Sequence, residues 1–204
     1  MIYLFLDTET TGIDKENDMI ISFSYKICDD DFKEIEHGII EMNPFTSLEE
    51  AKSEKYAKAL EVNGYKPEQI MEFMSASVGM AKVAEVYKRA LGYNGGWWPK
   101  IVGYNSNAFD IPMIRNNAKR FGAILPEVGE QHIDVYQLVL ALDVMGKIPQ
   151  KRNELGKPMK NKLFESVARL NIEADEDKFH DASYDTEMTY QIFMKLKQTV
   201  TINI

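Results

Sequence analysis

A short apolar run that stops at two acids constrains this chain more than any other feature. Residues 2 to 6, IYLFL, are apolar without a break; Asp7 follows, then Glu9 two places on, then TTG. A continuous run of this length, rich in aromatic and branched side chains, predicts a strand buried on both faces. Residues two apart on a strand project from one face, so Asp7 and Glu9 point the same way at its C-terminal end. Mixed α/β sheets usually place ligands at that end. The bland alternative is a pair of surface acids at a strand terminus, and D-x-E alone does not separate the two.

Two further strands, MIISFSYKIC (19–28) and EIEHGIIEM (34–42), flank the turn DDDF and predict an antiparallel meander. From residue 44 the pattern turns helical. SLEEAKSEKYAKALEV, capped by Ser47, reads as one helix, and PEQIMEFM as a second opened by Pro67. ASVGMAKVAEVYKRALG reads as a third, with Val78, Ala81, Val83, Val86, Ala90 and Leu91 on its apolar face. KIVGYN (100–105) is a strand, and NAFDIPMIRNNAKRFG a helix ended by Gly122. HIDVYQLVLAL (132–142) is either strand or short helix; KNKLFESVARLNI and the segment from about Asp181 are the last helices. The expected fold class is α/β: a mixed sheet flanked by helices, in one domain spanning residues 1–204.

Charge and cysteine content narrow the function. No run of about 18 apolar residues exists, so no membrane-spanning helix is expected, and the N-terminus lacks the basic start of a secretory signal. Cys28 is the only cysteine, which excludes an internal disulfide and points to a buried, inert thiol in a cytoplasmic protein. A net charge of −8 argues against coating nucleic acid by charge alone. The distribution is uneven, because KIPQKRNELGKPMKNK (147–162) carries a net +5. That segment is a candidate guide for phosphates or simply a solvated loop. Trp97 and Trp98, after Gly95 and Gly96, either stack on bases or plug a loop onto the core; the second reading is preferred.

Further acids fall on inward faces. In the helix from 107, Asp110 opens the stripe Met113, Ile114, Asn117, Ala118, Phe121, with Asn107 as the expected N-cap. In the last helix Asp185 sits in the stripe Ala182, Thr189, Ile192, Leu196. Asp181 and Glu187 fall on other sides and read as capping or solvated acids. His180 precedes Asp185 by five positions, which places it in the loop leading in; His37 and His132 read as structural. Simple capping remains an alternative for Asp110. Four inward acids on three separated segments need compensation, and two divalent cations supply it. Oxygen-only ligands suit Mg²⁺ or Mn²⁺ better than Zn²⁺. Two such ions about 3.5–4 Å apart form a device for cleaving phosphodiesters.

DTETTG, NSNAFD and HDASYD, in that order, resemble the three motifs of the DEDDh class of 3′→5′ exonucleases, on the ribonuclease-H-like fold. The sheet implied is five-stranded, antiparallel in its first three strands, and the helices around 67–98 are an insertion relative to compact members. GYNSNAFD is closest to the exonuclease I and family B polymerase version of the second motif. The resemblance spans residues 7 to 189. It implies that Asp7, Glu9, Asp110 and Asp185 ligate two divalent ions and that His180 is the general base. It implies further that Thr10 and Thr11, with Asn105 and Phe109, bind the 3′-terminal nucleotide. ALEVNGYKPEQI (59–70) is similar to the segment that borders the family's substrate channel, and Asp134 matches a recurrent acid read as supporting. The implied partner is the 3′ end of single-stranded nucleic acid, DNA before RNA, with a replication or repair protein as a further partner. The alternatives are an exoribonuclease like ribonuclease T or oligoribonuclease, and a catalytically silent binding module.

Overall fold

Strand β1 (Tyr3–Thr10) is the centre of the molecule. Leu4 and Leu6 are fully buried against one hydrophobic layer and Phe5 against another. Cover on both faces is why the run shows no polar alternation until its acids. The structure, a computed structural model, describes residues 1–126, 132–150, 152, 156–157 and 160–201. Residues 151, 153–155 and 158–159 of the basic segment 147–162, and the end of the tail TVTINI, lie outside them.

β2 (Ile20–Cys28) and β3 (Glu34–Asn43) complete the antiparallel meander. A helical stretch follows, in more pieces than the sequence predicts. Ser47 caps α1 (Leu48–Ala51) by accepting from the Glu50 amide, but the chain breaks at Ser53, whose backbone is extended, before α2 (Glu54–Asn63) begins. The break lets Ala51 on one helix and Tyr56 and Leu60 on the other reach a shared cluster with Phe45 and Ile70. Gly64, at φ 72°, ends α2 in the left-handed region. α3 (Pro67–Ile70) is a single turn, because the next residues pair with β3 as a two-residue strand, β4 (Met74–Ser75). α4 (Ala76–Tyr93) then lies across the sheet. Its inward stripe is Met80, Val83, Val86, Tyr87 and Ala90; Val78 is exposed, so the expected stripe is partly rotated.

β5 (Lys100–Gly103) pairs parallel to β1 and leads into α5 (Asp110–Arg120). Segment 132–142, which the sequence leaves as strand or helix, is both: β6 (His132–Asp134), parallel to β5, then α6 (Val135–Val144). α7 (Leu163–Arg169) and α8 (Ala182–Thr201) complete the fold. The strand order is β4-β3-β2-β1-β5-β6. The sheet is mixed and helix-flanked as expected, with six strands rather than five because β4 adds at its edge. α4 and α5 residues pack on the Leu4–Leu6 side, and α6, α7 and α8 residues on the Phe5 side.

Two expectations about exposed groups change. Trp97 is 79% and Trp98 47% exposed, so neither plugs a core. They precede β5, whose start pairs with the start of β1, and so lie at the end of the sheet opposite Asp7 and Glu9. Glu187 is not a solvated acid: it pairs with Lys26, which also meets Glu34 at 3.1 Å. Asp181 does cap α8, accepting from the Tyr184 amide at 2.9 Å. Cys28 is buried, and burial pushes its thiol up to about 11. Among the described residues no helix is long and apolar enough to cross a membrane.

Candidate active site

β1 extends past the last apolar layer, so its final residues form the floor of a cleft of about 570 Å³. Asp7 and Glu9 are half-buried there on the face shared with Phe5. Thr8 faces the other way and donates a hydrogen bond to Asp110 Oδ1 at 2.7 Å. Asp110 is the first residue of α5 and only 4% exposed. Phe109, not Asn107, occupies the cap position, and the Asn107 amide donates instead to Asp134. Asp185 enters from the first turn of α8, 7% exposed, on the inward stripe with Ala182, Thr189, Ile192 and Leu196.

His180 lies just outside α8 with φ 72°, a conformation that costs a residue with a Cβ about 1–2 kcal/mol. In that turn its backbone N–H donates to Asp185 Oδ2 at 3.2 Å. Glu9, His180 and Asp185 can each offer one ligand atom, and these atoms lie within 4.8 Å of one another. The four acids and the histidine that the sequence singled out therefore line one cleft.

The electrostatics follow from burial and crowding. Burial, then the negative fields of Asp110, Asp185, Glu9 and Asp181, hold Asp7 well above the usual carboxylate range. Burial first, then Asp185, Asp110 and Asp181, push Glu9 up to about 9. Asp185 is pushed up to about 7 by burial, against the His180 hydrogen bond, with Asp181 adding repulsion. Asp110 reaches about 6, its burial opposed chiefly by the Thr8 hydrogen bond. The cluster is thus unfavourable as bare anions. Asp185 Oδ1 is buried without a hydrogen-bond partner among the described residues, and such an orphaned acceptor wants a cation or a donor. All-carboxylate oxygens, one of them unpartnered, fit a hard divalent ion.

The four predicted nucleotide contacts are all on the cleft wall. The Thr10 hydroxyl donates to the Gly12 carbonyl at 2.6 Å, and the Thr11 hydroxyl to Asp18 while accepting from the Met19 amide. Both hydroxyls are thus committed within the protein. Asp18 closes this turn against Gly12, where a Cβ would sit 2.2 Å from its carboxylate. Asn105 is exposed in a left-handed turn at φ 59°, pinned by its own amide to Asp134 at 2.9 Å. Asp134 also takes the Tyr136 amide, capping α6, so it supports the loop rather than lining the cleft.

Sequence reasoning missed Thr8, whose partner lies 102 residues away, and no local pattern could have shown it. It missed Asn63 too, whose side-chain amide donates to the Thr10 carbonyl at 3.1 Å and ties α2 to the floor. Tyr104 was also missed; its hydroxyl sits 2.6 Å from both the Asn161 carbonyl and the Ser166 hydroxyl, joining the cleft wall to α7.

Solved structures of exonuclease I share this arrangement of elements. The complex of E. coli exonuclease I with a dT13 oligonucleotide superposes with TM-score 0.78 at 20% identity, covering 99% of this chain and 42% of that one. The ExoI/SSB-Ct complex gives 0.79 at 19%, covering 98% and 42%. A product-bound exonuclease I gives 0.76 at 19%, covering 97% and 43%. The chain therefore spans about two-fifths of the length of these proteins. No curated protein sequence matches it. Residues 4–193 match the exonuclease family (RNase_T), and with nearly its whole length matched the chain belongs to that family, on a ribonuclease-H-like fold.

Proposed function

We propose that the protein is a 3′→5′ exonuclease that hydrolyses single-stranded DNA from its 3′ end to nucleoside 5′-monophosphates. The observation that carries this reading is the gathering of Asp7, Glu9, Asp110, Asp185 and His180 in one cleft at the end of β1. Asp7, Glu9, Asp110 and Asp185 would hold two divalent ions, Mg²⁺ or Mn²⁺, which in such sites activate water and stabilise the leaving oxygen. His180 would take the proton of the attacking water, a general-base task for which an imidazole beside the acids is suited. Its left-handed turn keeps the ring beside Glu9 and Asp185. Thr8 orients the Asp110 carboxylate, and the Asp134 carboxylate holds the Asn105 turn against the wall. Thr10 and Thr11 present backbone to the terminal nucleotide, with Asn105 and Phe109 beside them.

Polarity and substrate rest on the family and on the similar structures, in which exonuclease I is bound to dT13 and dA13 oligonucleotides. Those complexes favour DNA over RNA. The ExoI/SSB-Ct complex supports a replication or repair protein as partner. The intact set of acids and His180 disfavours a silent binding module. The test is hydrolysis by purified protein, with Mg²⁺, of single-stranded DNA, RNA and duplex ends labelled at either terminus. Mononucleotides released first from the 3′ end of DNA are expected; products released first from the 5′ end, or RNA cleaved in preference, would overturn polarity or sugar choice respectively.

A further inference from the structure

The acidic floor raises a problem that its own residues do not solve. A nucleic-acid strand is an anion, and the cleft that must receive it is lined by Asp7, Glu9, Asp18, Asp110 and Asp185. Divalent ions at the floor neutralise the reacting phosphate; the next phosphate along the strand needs its own cation. Apart from His180, the only basic residues lining the cleft among those described are Lys55 and Lys58 of α2.

The geometry of α2 places them together. Lys55, Lys58, Ala59 and Val62 recur at helical spacing and face the cleft, whereas Tyr56 and Leu60 turn the other way into the core. Two lysines three residues apart are about 4.5 Å apart along the axis, close enough for both ammonium groups to converge on one phosphate. Both are exposed, and neither pairs with the acids of the floor. Lys58 has no hydrogen bond or ion pair among the described residues. Lys55 lies over the buried Tyr56 ring at 4.7 Å and its ammonium donates to the Tyr56 hydroxyl at 3.2 Å; it feels the negative fields of Asp18, Asp14 and Glu50, but its hydrogen bond is to a neutral group. The Asn63 bond to the Thr10 carbonyl fixes this helix to the strand that carries Asp7 and Glu9. Cations and acids are therefore held in one register.

We infer that Lys55 and Lys58 form a clamp for the strand phosphate on the 5′ side of the scissile bond, which makes α2 the wall that grips the substrate. The inference rests on the exonuclease reading and adds the residues that distinguish a polynucleotide from a single nucleotide ester. Both lysines act by positioning; neither touches the reacting atoms.

The experiment compares wild type with Lys55→Ala/Lys58→Ala and Lys55→Glu/Lys58→Glu on two substrates. One is a single-stranded oligodeoxythymidylate; the other is p-nitrophenyl thymidine 5′-monophosphate, which has one phosphodiester and nothing for the clamp to hold. The alanine variant is expected to raise KM for the oligonucleotide about tenfold with kcat within about twofold, the glutamate variant to raise it further, and the small ester to be cleaved as by wild type. Binding of a fluorescein-labelled oligonucleotide in EDTA should lose about 0.7 from its log–log salt slope for each phosphate released. An unaltered KM and slope, or equal losses on both substrates, would overturn the clamp. Wild-type protein inert on both substrates would instead refute the exonuclease reading, while the salt slope in EDTA would still decide the clamp.

Discussion

Two residues that meet in the cleft, Asp185 and His180, act against the fold that holds them. Asp185 is a carboxyl pushed up to about 7, with Oδ1 unpartnered. Asp185→Asn removes the repulsion, keeps an acceptor for the His180 amide, and is expected to stabilise the protein in EDTA by about 1 kcal/mol, or about 2–4 °C in Tm. The same substitution should abolish Mg²⁺-dependent hydrolysis; a variant less stable than wild type in EDTA and fully active would contradict the assignment. The pH dependence has the matching sign. Because the folded state holds these acids above their unfolded values, it binds more protons than the unfolded chain across the interval between them. The cluster's contribution to stability in EDTA therefore falls as pH rises from about 4.5 toward the value of about 9 reached by Glu9. Thermal melts of wild type and Asp185→Asn across that interval should diverge as pH climbs.

His180 spends conformational energy on its position. His180→Ala is expected to lower kcat by about 10²–10⁴. His180→Gly should be equally slow but more stable than the alanine variant by about 1 kcal/mol, because glycine adopts φ 72° without strain. Equal melting temperatures for the two would show that the turn is not strained.

At the scale of elements, connections rather than strands or helices place the site. The Asp134 carboxylate gathers the amides of Asn105, Asn107 and Tyr136, fixing the β5–α5 loop to the start of α6. Arg169 does the corresponding work on the far side. Its side chain is 2% exposed, and it donates to Asp143 Oδ1 at 2.6 Å, to the Pro149 carbonyl at 3.0 Å and to the Asn161 side chain. The guanidinium thereby ties both ends of the basic segment to α6 and α7. Arg169→Ala takes the guanidinium from Asp143, which keeps its Gln150 bond, and from the Pro149 carbonyl, and is expected to cost about 3 kcal/mol. Adding Asp143→Leu should recover a good part of that loss; urea melts of the single and double variants measure the coupling, and additive losses would show that the pair does not act as a unit.

How much of this was legible in the chain differs by element. β1 was readable because an unbroken apolar run of its length fits a strand covered on both faces. α5 and α8 were readable because a helical stripe opened or interrupted by one acid declares which way that acid points. The 47–62 region was misread as one helix, because the break at Ser53 serves Ala51, Tyr56 and Leu60 in a cluster assembled with Phe45 and Ile70. Trp97 and Trp98 were misplaced for the opposite reason: apolar bulk argues for burial, but nothing among the described residues closes over them.

For the whole molecule, metal binding and folding should be coupled. Ions that bind only the folded state stabilise it by mass action, about 2.7 kcal/mol at a hundredfold excess over Kd. Mg²⁺ or Mn²⁺ should therefore raise the Tm of wild type by about 5–10 °C and leave an Asp7→Asn/Asp185→Asn variant nearly unmoved. Calorimetry with and without EDTA checks this, and an equal shift in both proteins would place the ion elsewhere.

By itself the amino-acid sequence determined which acids sit on inward faces and which way each points from its own strand or helix. Periodicity is a local property of the backbone, and it survives in the one-dimensional text. The tertiary structure alone decided that Thr8 steadies Asp110, that Asn63 moors α2 to β1, and that Lys55 and Lys58 line the same cleft as the acids. Those relations join residues on separately folded elements, and their geometry is set by how the elements pack on the sheet, which no local pattern encodes.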